Sequence, residues 1–263
     1  MGLKLQDVPA AAGLRWVTLA FSEYFQHALG YTSLFVAFLG GMLLTVLLPI
    51  VGGVLLMMAV PLLSLAFMMA THGSLHDRPL QIAVYARPWQ QREPDRRRPL
   101  FSLLVAYAVL TAAVLWLCET IDGGAFDAWL VAFAKGDTPP EELAKLAEAP
   151  GTFAGALWRT VLTAALAVPF WFAPALVLWG RQGVAQALFT SALALWRAKA
   201  AFLVFGFGWM AVMVSAGMVA SILVGLIGPA FAGLLVMPIG LILTSTFYVS
   251  LYFSFRDCFG EPD

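Results

Sequence analysis

Residues 201–225 read AFLVFGFGWMAVMVSAGMVASILVG, with no Asp, Glu, Lys, Arg or His among them. At about 1.5 Å per residue, a helix of this length covers the roughly 30 Å of a bilayer's hydrocarbon core. Five further runs share the property: 31–48, 54–71, 100–117, 161–179 and 230–255. A backbone in lipid must satisfy its own amides and carbonyls, and a helix does so internally. The pattern predicts an all-α, polytopic membrane protein with six transmembrane helices in one membrane domain, 1–263.

Composition points the same way. Of 263 residues, 61% are apolar and 11% charged, against about 25% charged in a soluble domain. Lipid must solvate most of this surface. The uncharged centres of the runs remove proton relays and intramembrane haem ligands from the bilayer core. Residues 1–28 carry Lys4, Arg15, Glu23 and His27 and no apolar core before a cleavage site, so the first span is expected to be an uncleaved insertion signal.

Net charge is zero, but its distribution is not even. Residues 72–98 hold six arginines, while 119–152 hold two lysines against seven acidic residues. Lys and Arg stay on the cytoplasmic side. Twelve of the fifteen Lys and Arg then fall inside, with both termini cytoplasmic. Cys118 and Cys258 lie on opposite sides in this topology, so no disulfide is expected.

The chain divides into an interfacial N-terminal helix (1–30), helices 1 and 2 (31–71), a basic cytoplasmic loop (72–99) and helix 3 (100–117). An acidic outer loop (118–156), helix 4 (157–179), a second interfacial segment (180–200) and helices 5 and 6 (201–255) follow. In 13–28, Leu14, Val17, Phe21, Tyr24 and Ala28 form an apolar stripe, with Glu23 elsewhere on the wheel. That predicts a helix lying flat at the cytoplasmic interface, or else docked on the bundle or a cytosolic partner. Residues 182–199 repeat the pattern. Each amphipathic stretch precedes a span, a short Gly/Pro turn and a span with a central proline, Pro61 or Pro238, which suggests a parallel repeat of hairpins 1–2 and 5–6. In the outer loop, 125–135 reads as a surface helix bearing Phe126, Trp129, Leu130 and Phe133. Thr138-Pro-Pro-Glu141 opens a second, acidic one.

Helix 6 carries Thr244, Ser245, Tyr248 and Tyr252. These hydroxyls either line a groove for headgroups or solute, or bond to their own helix and its neighbours. Pro169 and Pro174 should kink helix 4 and free carbonyls, to be satisfied by Thr163, by water or by a ligand. Gly217, Ser221 and Gly225 form a small-residue ridge for close helix approach, within the protomer or between copies. Arg92, Arg96, Arg97 and Arg98 could hold anionic headgroups as well as set orientation. His72 and His76 are four apart but have no third ligand near them in sequence, so no metal is expected. No catalytic motif is present: GxSxG, HExxH, P-loop and GxGxxG are all missing. No cofactor and no nucleic acid are expected. The expected partners are the lipid bilayer and other membrane proteins or further copies of this chain.

Several stretches together resemble an uncharacterised family of six-span proteobacterial inner-membrane proteins. They are Leu5-Gln-Asp-Val-Pro9, Gly13-Leu-Arg-Trp16, Val168-Pro-Phe-Trp171, Gln186-Ala-Leu-Phe189, Ala194-Leu-Trp-Arg197 and the end from Phe247 to Phe259. The last hairpin is loosely similar to non-catalytic membrane domains found beside glycerophosphodiester phosphodiesterases. The resemblance implies location and architecture and assigns no residue a role. The function it leaves open is that of a scaffold, accessory subunit or lipid-interacting component. The alternative is a small permease for an uncharged or amphipathic solute, with helices 4 and 6 lining the path.

Overall fold

The computed structural model describes residues 3–48, 51–90, 94–136, 138–228 and 232–262, with only the backbone of Val46 and of 94–96. In chain order these form α1 (Ala12–Gln26), α2 (Ala28–Val46), α3 (Val51–Ser74), a 3-10 turn (Ile82–Tyr85), α4 (Arg87–Gln90), α5 (Pro94–Asp122) and α6 (Ala125–Lys135). There follow α7 (Pro140–Glu148), α8 (Thr152–Phe170), α9 (Ala173–Leu178), α10 (Val184–Arg197), α11 (Lys199–Ile227) and α12 (Ala232–Phe259). Among the described residues there is no strand. Among the described residues, six helical stretches are long and apolar enough to span a bilayer: Ala28–Thr45, Val51–Ser74, Arg97–Asp122, Thr152–Leu178, Lys199–Ile227 and Ala232–Phe259. The fold is all-α and polytopic. The two Gly/Pro turns fall partly on 49–50 and 229–231, outside the described residues.

Both termini meet at one end of the bundle, here the terminal end. The Gln6 amide donates to the Cys258 carbonyl at 2.8 Å. The Arg15 guanidinium and the Trp16 indole share the Asp257 carboxylate, at 2.6 and 2.7 Å. The α6–α7 pair marks the opposite, loop end. Cys118 and Cys258 are both buried and unbonded to each other.

Helix α1 does more than lie on a surface. Its Gly13, Trp16, Val17, Ala20 and Tyr24 are buried, and the helix packs on α11 and α12. A Cβ on Gly13 would overlap the Ala201 carbonyl and come within 2.6 Å of the Phe205 amide nitrogen. Glycine is what lets the two backbones touch. Leu14 and Phe25 remain exposed on the outer face, so the docked helix still offers an apolar surface to an interface. Helix α10 buries only Ala187, Ser191 and Ala194, against α8 and α9, and leaves Phe189 and Trp196 outward. The two amphipathic helices therefore sit in different surroundings despite their similar place in the chain order.

The double-proline stretch breaks the fourth span outright. α8 ends at Phe170 and the six-residue α9 begins at Ala173. The Ser191 hydroxyl from α10 fills the gap. It accepts the Phe172 amide at 3.0 Å and donates to the Val168 carbonyl at 3.1 Å, replacing the helical bond that would have joined them. Thr163 takes no part, since its hydroxyl returns to its own helix at the Arg159 carbonyl, 2.5 Å away. α9 is wholly buried, and Phe172 stacks edge-on against Phe255 and Phe259 at 5.6 and 5.5 Å.

Burial is uneven along the bundle. α12 is mostly buried from Ser245 to Phe259, α11 only at Ala201, Phe205 and Trp209, and α3 almost entirely from Ala59 onward. Toward the loop end, Leu43, Leu47, Val51, Met213, Met218, Ile222 and Leu234 stand exposed.

Candidate functional site

The hydroxyl-rich face of α12 does not form one continuous seam. Ser245 is buried, and its oxygen has no hydrogen-bond partner among the described residues. Thr246, Ser250 and Ser254 donate to the carbonyls of Ile242, Phe247 and Leu251 in their own helix, as serine and threonine commonly do in lipid. Thr244 is half-buried. Tyr248 lines a cavity of about 120 Å³ with Val60, Pro61 and Ser64 of α3, Tyr107 of α5, Ala167, Phe170 and Trp171 of the α8 end, and Phe247 and Leu251. The second and third spans thus wall this space along with the fourth and sixth, and Thr244, Ser245 and Tyr252 are not among its lining residues. Its volume corresponds to about four waters.

Tyr252 belongs instead to a polar cluster at the terminal end. α3 stops there in a Schellman motif. The Asp77 and Arg78 amides donate to the carbonyls of Ser74 and Gly73, and Asp77 is left-handed at φ 56°. This presents His72 on the last turn of α3 and His76 in the turn that follows. The His76 ring Nδ1 lies 2.8 Å from the His72 carbonyl, and His72 Nδ1 lies 3.0 Å from the Tyr252 hydroxyl. Glu261, brought back by the chain end after α12, lies 3.8 Å from His76 Nε2 and accepts from Tyr252 at 3.4 Å. One potential ligand atom from each of His72, His76 and Glu261 lies within 4.8 Å of the other two. The third group, missing from the sequence around the histidines, comes from the far end of the chain.

On the other side of α3, an open groove of about 940 Å³ runs between the end of α1 and the α3 exit, past His27, Ser74, Asp77 and Arg78. At its floor Glu23 is buried to 5% exposure, which corrects its expected place on the solvent face of α1. The Tyr31 phenol donates to Glu23 at 2.9 Å, and His27 Nδ1 lies 3.3 Å from Glu23 and 3.3 Å from the Ser74 hydroxyl. Partners at i+4 and i+8 hold the carboxylate inward. Nearby, Tyr85 donates to the Leu34 carbonyl at 3.0 Å. Burial, with a smaller contribution from Tyr248, raises its pKa well above that of a free phenol.

At the loop end the acidic loop is tied down by Arg159. Its guanidinium bonds Asp127 at 2.7 Å, approaches Asp122 at 3.8 Å and lies over the Phe126 ring at 5.1 Å. Asp122 accepts the Gly124 amide at 2.8 Å and packs so closely on Gly155 that a Cβ there would strike its carboxylate. α6 and α7 bury no residue of their own.

Gly217, Ser221 and Gly225 all face outward, with nothing within 4 Å of a Cβ built on either glycine. Among the described residues, the ridge glycines meet no other helix of the protomer. Of the arginine cluster, Arg92 and the side chain of Arg96 lie outside the described residues. Arg97 and Arg98 are exposed in the first turns of α5.

The chain is similar to a protein of Burkholderia thailandensis described as "Probable inner membrane protein". The two are 29% identical over 263 residues, covering 99% of this chain and 96% of that one. No family model and no solved structure matches. The full-length likeness accords with the resemblance to uncharacterised inner-membrane proteins read from the motifs. Together with six helices of spanning length, it identifies an integral, multi-pass protein of the inner membrane.

Proposed function

We propose that this is a non-enzymatic protein that works by lateral contact within the inner membrane, as a scaffold, accessory subunit or lipid-interacting component, with both termini cytoplasmic. The observation that carries the reading is the state of α11. No residue of its most apolar stretch is fully buried inside the described protomer, and its small-residue ridge is open. In lipid, close backbone approach along small residues is a main source of helix association. Exposed Arg97 and Arg98 at the α5 start favour anionic headgroups on the same side as the termini. The excess of Lys and Arg there favours the cytoplasmic orientation.

Purification in mild detergent, comparing the native chain with Ser221→Leu, tests this. A stable partner or second copy retained by the native chain and lost from the variant supports the reading. Equal behaviour of the two counts against it.

The permease reading draws on the cavity beside Tyr248. It requires that small space to widen into a water-filled path. Catalysis is disfavoured because the buried carboxylates have structural companions: Asp122 with Gly124 and Arg159, Glu23 with Tyr31 and His27.

A further inference from the structure

We propose that His72, His76 and Glu261 form a binding site for a divalent transition metal of the zinc class, at the terminal end of the bundle. The site is independent of the lateral-contact reading. Its first support is convergence. Two imidazoles and a carboxylate, contributed by the end of α3 and the tail after α12, bring one ligand atom each within 4.8 Å of the others. In a tetrahedral zinc site with ligands at about 2.0–2.1 Å, such atoms stand about 3.4 Å apart. His76 Nε2 and Glu261 Oε1 are already at 3.8 Å. Both residues are exposed, so their side chains are free to close the remaining distance.

The second support is the way the rings are held. Metal-bound histidines commonly donate their other N–H to a carbonyl or other acceptor, which fixes the tautomer. His76 Nδ1 does this to the His72 carbonyl. His72 Nδ1 faces the Tyr252 hydroxyl, and that hydroxyl in turn donates to Glu261. With the phenol proton directed to Glu261, His72 Nδ1 carries the hydrogen and donates it to the Tyr252 oxygen. His76 keeps Nε2 as a lone pair because its Nδ1 faces a carbonyl, and His72 does so in this tautomer. Tyr252 would be a positioning residue for two of the three ligands at once. The C-terminal dipole of α3 favours a cation at this point, while the neighbouring Arg78 opposes it. Two imidazoles with one carboxylate suit zinc, and also copper or cobalt, better than magnesium or calcium. Three protein ligands leave a fourth position for water. A bound ion would fasten the C-terminal tail to α3 and close a loop spanning α5 to α12.

The test uses the full-length protein in detergent, purified without a polyhistidine tag. Zn²⁺ binding is measured by competition with a chromophoric chelator, and Co²⁺ substitution by visible absorption. We expect one ion per chain and the ligand-field bands of a four-coordinate Co²⁺ site. Glu261→Gln and His76→Gln should each weaken Zn²⁺ binding at least tenfold. Tyr252→Phe should weaken it by about tenfold, the lower end of what loss of an outer-shell partner costs. His27→Gln should leave it unchanged. Glu261 and His76 are exposed, so these variants should keep the native thermal unfolding. Native binding no tighter than that of the His76→Gln/Glu261→Gln double variant overturns the proposal. So does loss of binding in His27→Gln alone.

Discussion

The terminal half of the molecule and the loop half are made of the same apolar residues but are used in opposite ways. In the terminal half, α1, α9 and the inner parts of α3, α11 and α12 interlock through glycine contacts, edge-on aromatic rings and hydrogen bonds between distant residues. In the loop half, the outer parts of α2, α3, α11 and α12 turn their leucines, valines and methionines outward. Lipid tails are as apolar as leucine, so apolar character alone cannot draw helices together in a bilayer. The difference lies in where small residues and polar pairs are placed. Gly13 meets a backbone, and Gly217 meets nothing.

The sharpest way to break the comparison is to substitute those two glycines. Gly13→Val should cost about 3 kcal/mol through overpacking against the Ala201 carbonyl, read as the largest fall in unfolding temperature in mild detergent. Next comes Ser191→Ala, which strands the Phe172 amide and the Val168 carbonyl in the α8–α9 break. About 2 kcal/mol is expected, with faster backbone hydrogen exchange at 168–172. Glu23→Ala leaves the buried Tyr31 phenol without its acceptor, for about 1.5 kcal/mol in the same unfolding assay. Arg159→Gln, at the loop end, should cost about 1 kcal/mol and loosen the α6–α7 hairpin, which limited proteolysis would report as earlier cutting between 136 and 151. Smallest of all, Gly217→Leu should change protomer stability by less than about 0.5 kcal/mol. A large loss at Gly217 would mean that the two halves are packed alike.

The spans themselves were legible because each is a local property. A run of uncharged residues long enough to cross needs no knowledge of its neighbours, and all six appear as helical stretches, the fourth broken at its prolines. The outer-loop helices were readable for the same reason, from Thr138-Pro-Pro-Glu141 and the aromatic face of 125–135. What escaped was pairing. The wheel placed Glu23 with the polar residues because nothing in α1 says that Tyr31 and His27 will close over it. Their spacing from Glu23 was the available hint. Ser191 is an unremarkable serine until α10 is laid across the proline break. The histidine pair is visible in the sequence as a pair but lacks its carboxylate there, because Glu261 reaches it only once α12 has brought the chain end back to α3. Tyr248 and Tyr252 are four residues apart and so share a helix face, yet they have different surroundings. Tyr248 faces a small cavity, and Tyr252 faces the terminal cluster.

Water access at Tyr248 tests the central claim most directly: that no water-filled path runs between the spans and the apolar outer faces are where this protein meets its surroundings. Tyr248→Cys and, as a lipid-facing control away from the α11 ridge, Val109→Cys would be made in a chain with Cys118 and Cys258 replaced. Each would be exposed in intact membranes to a membrane-impermeant thiol reagent and to a lipid-soluble one. The Tyr248→Cys variant should not react with the impermeant reagent, and the Val109→Cys variant should react with the lipid-soluble reagent alone. Ready labelling of the Tyr248→Cys variant from the aqueous side would reveal a water-filled path through the bundle and contradict the claim.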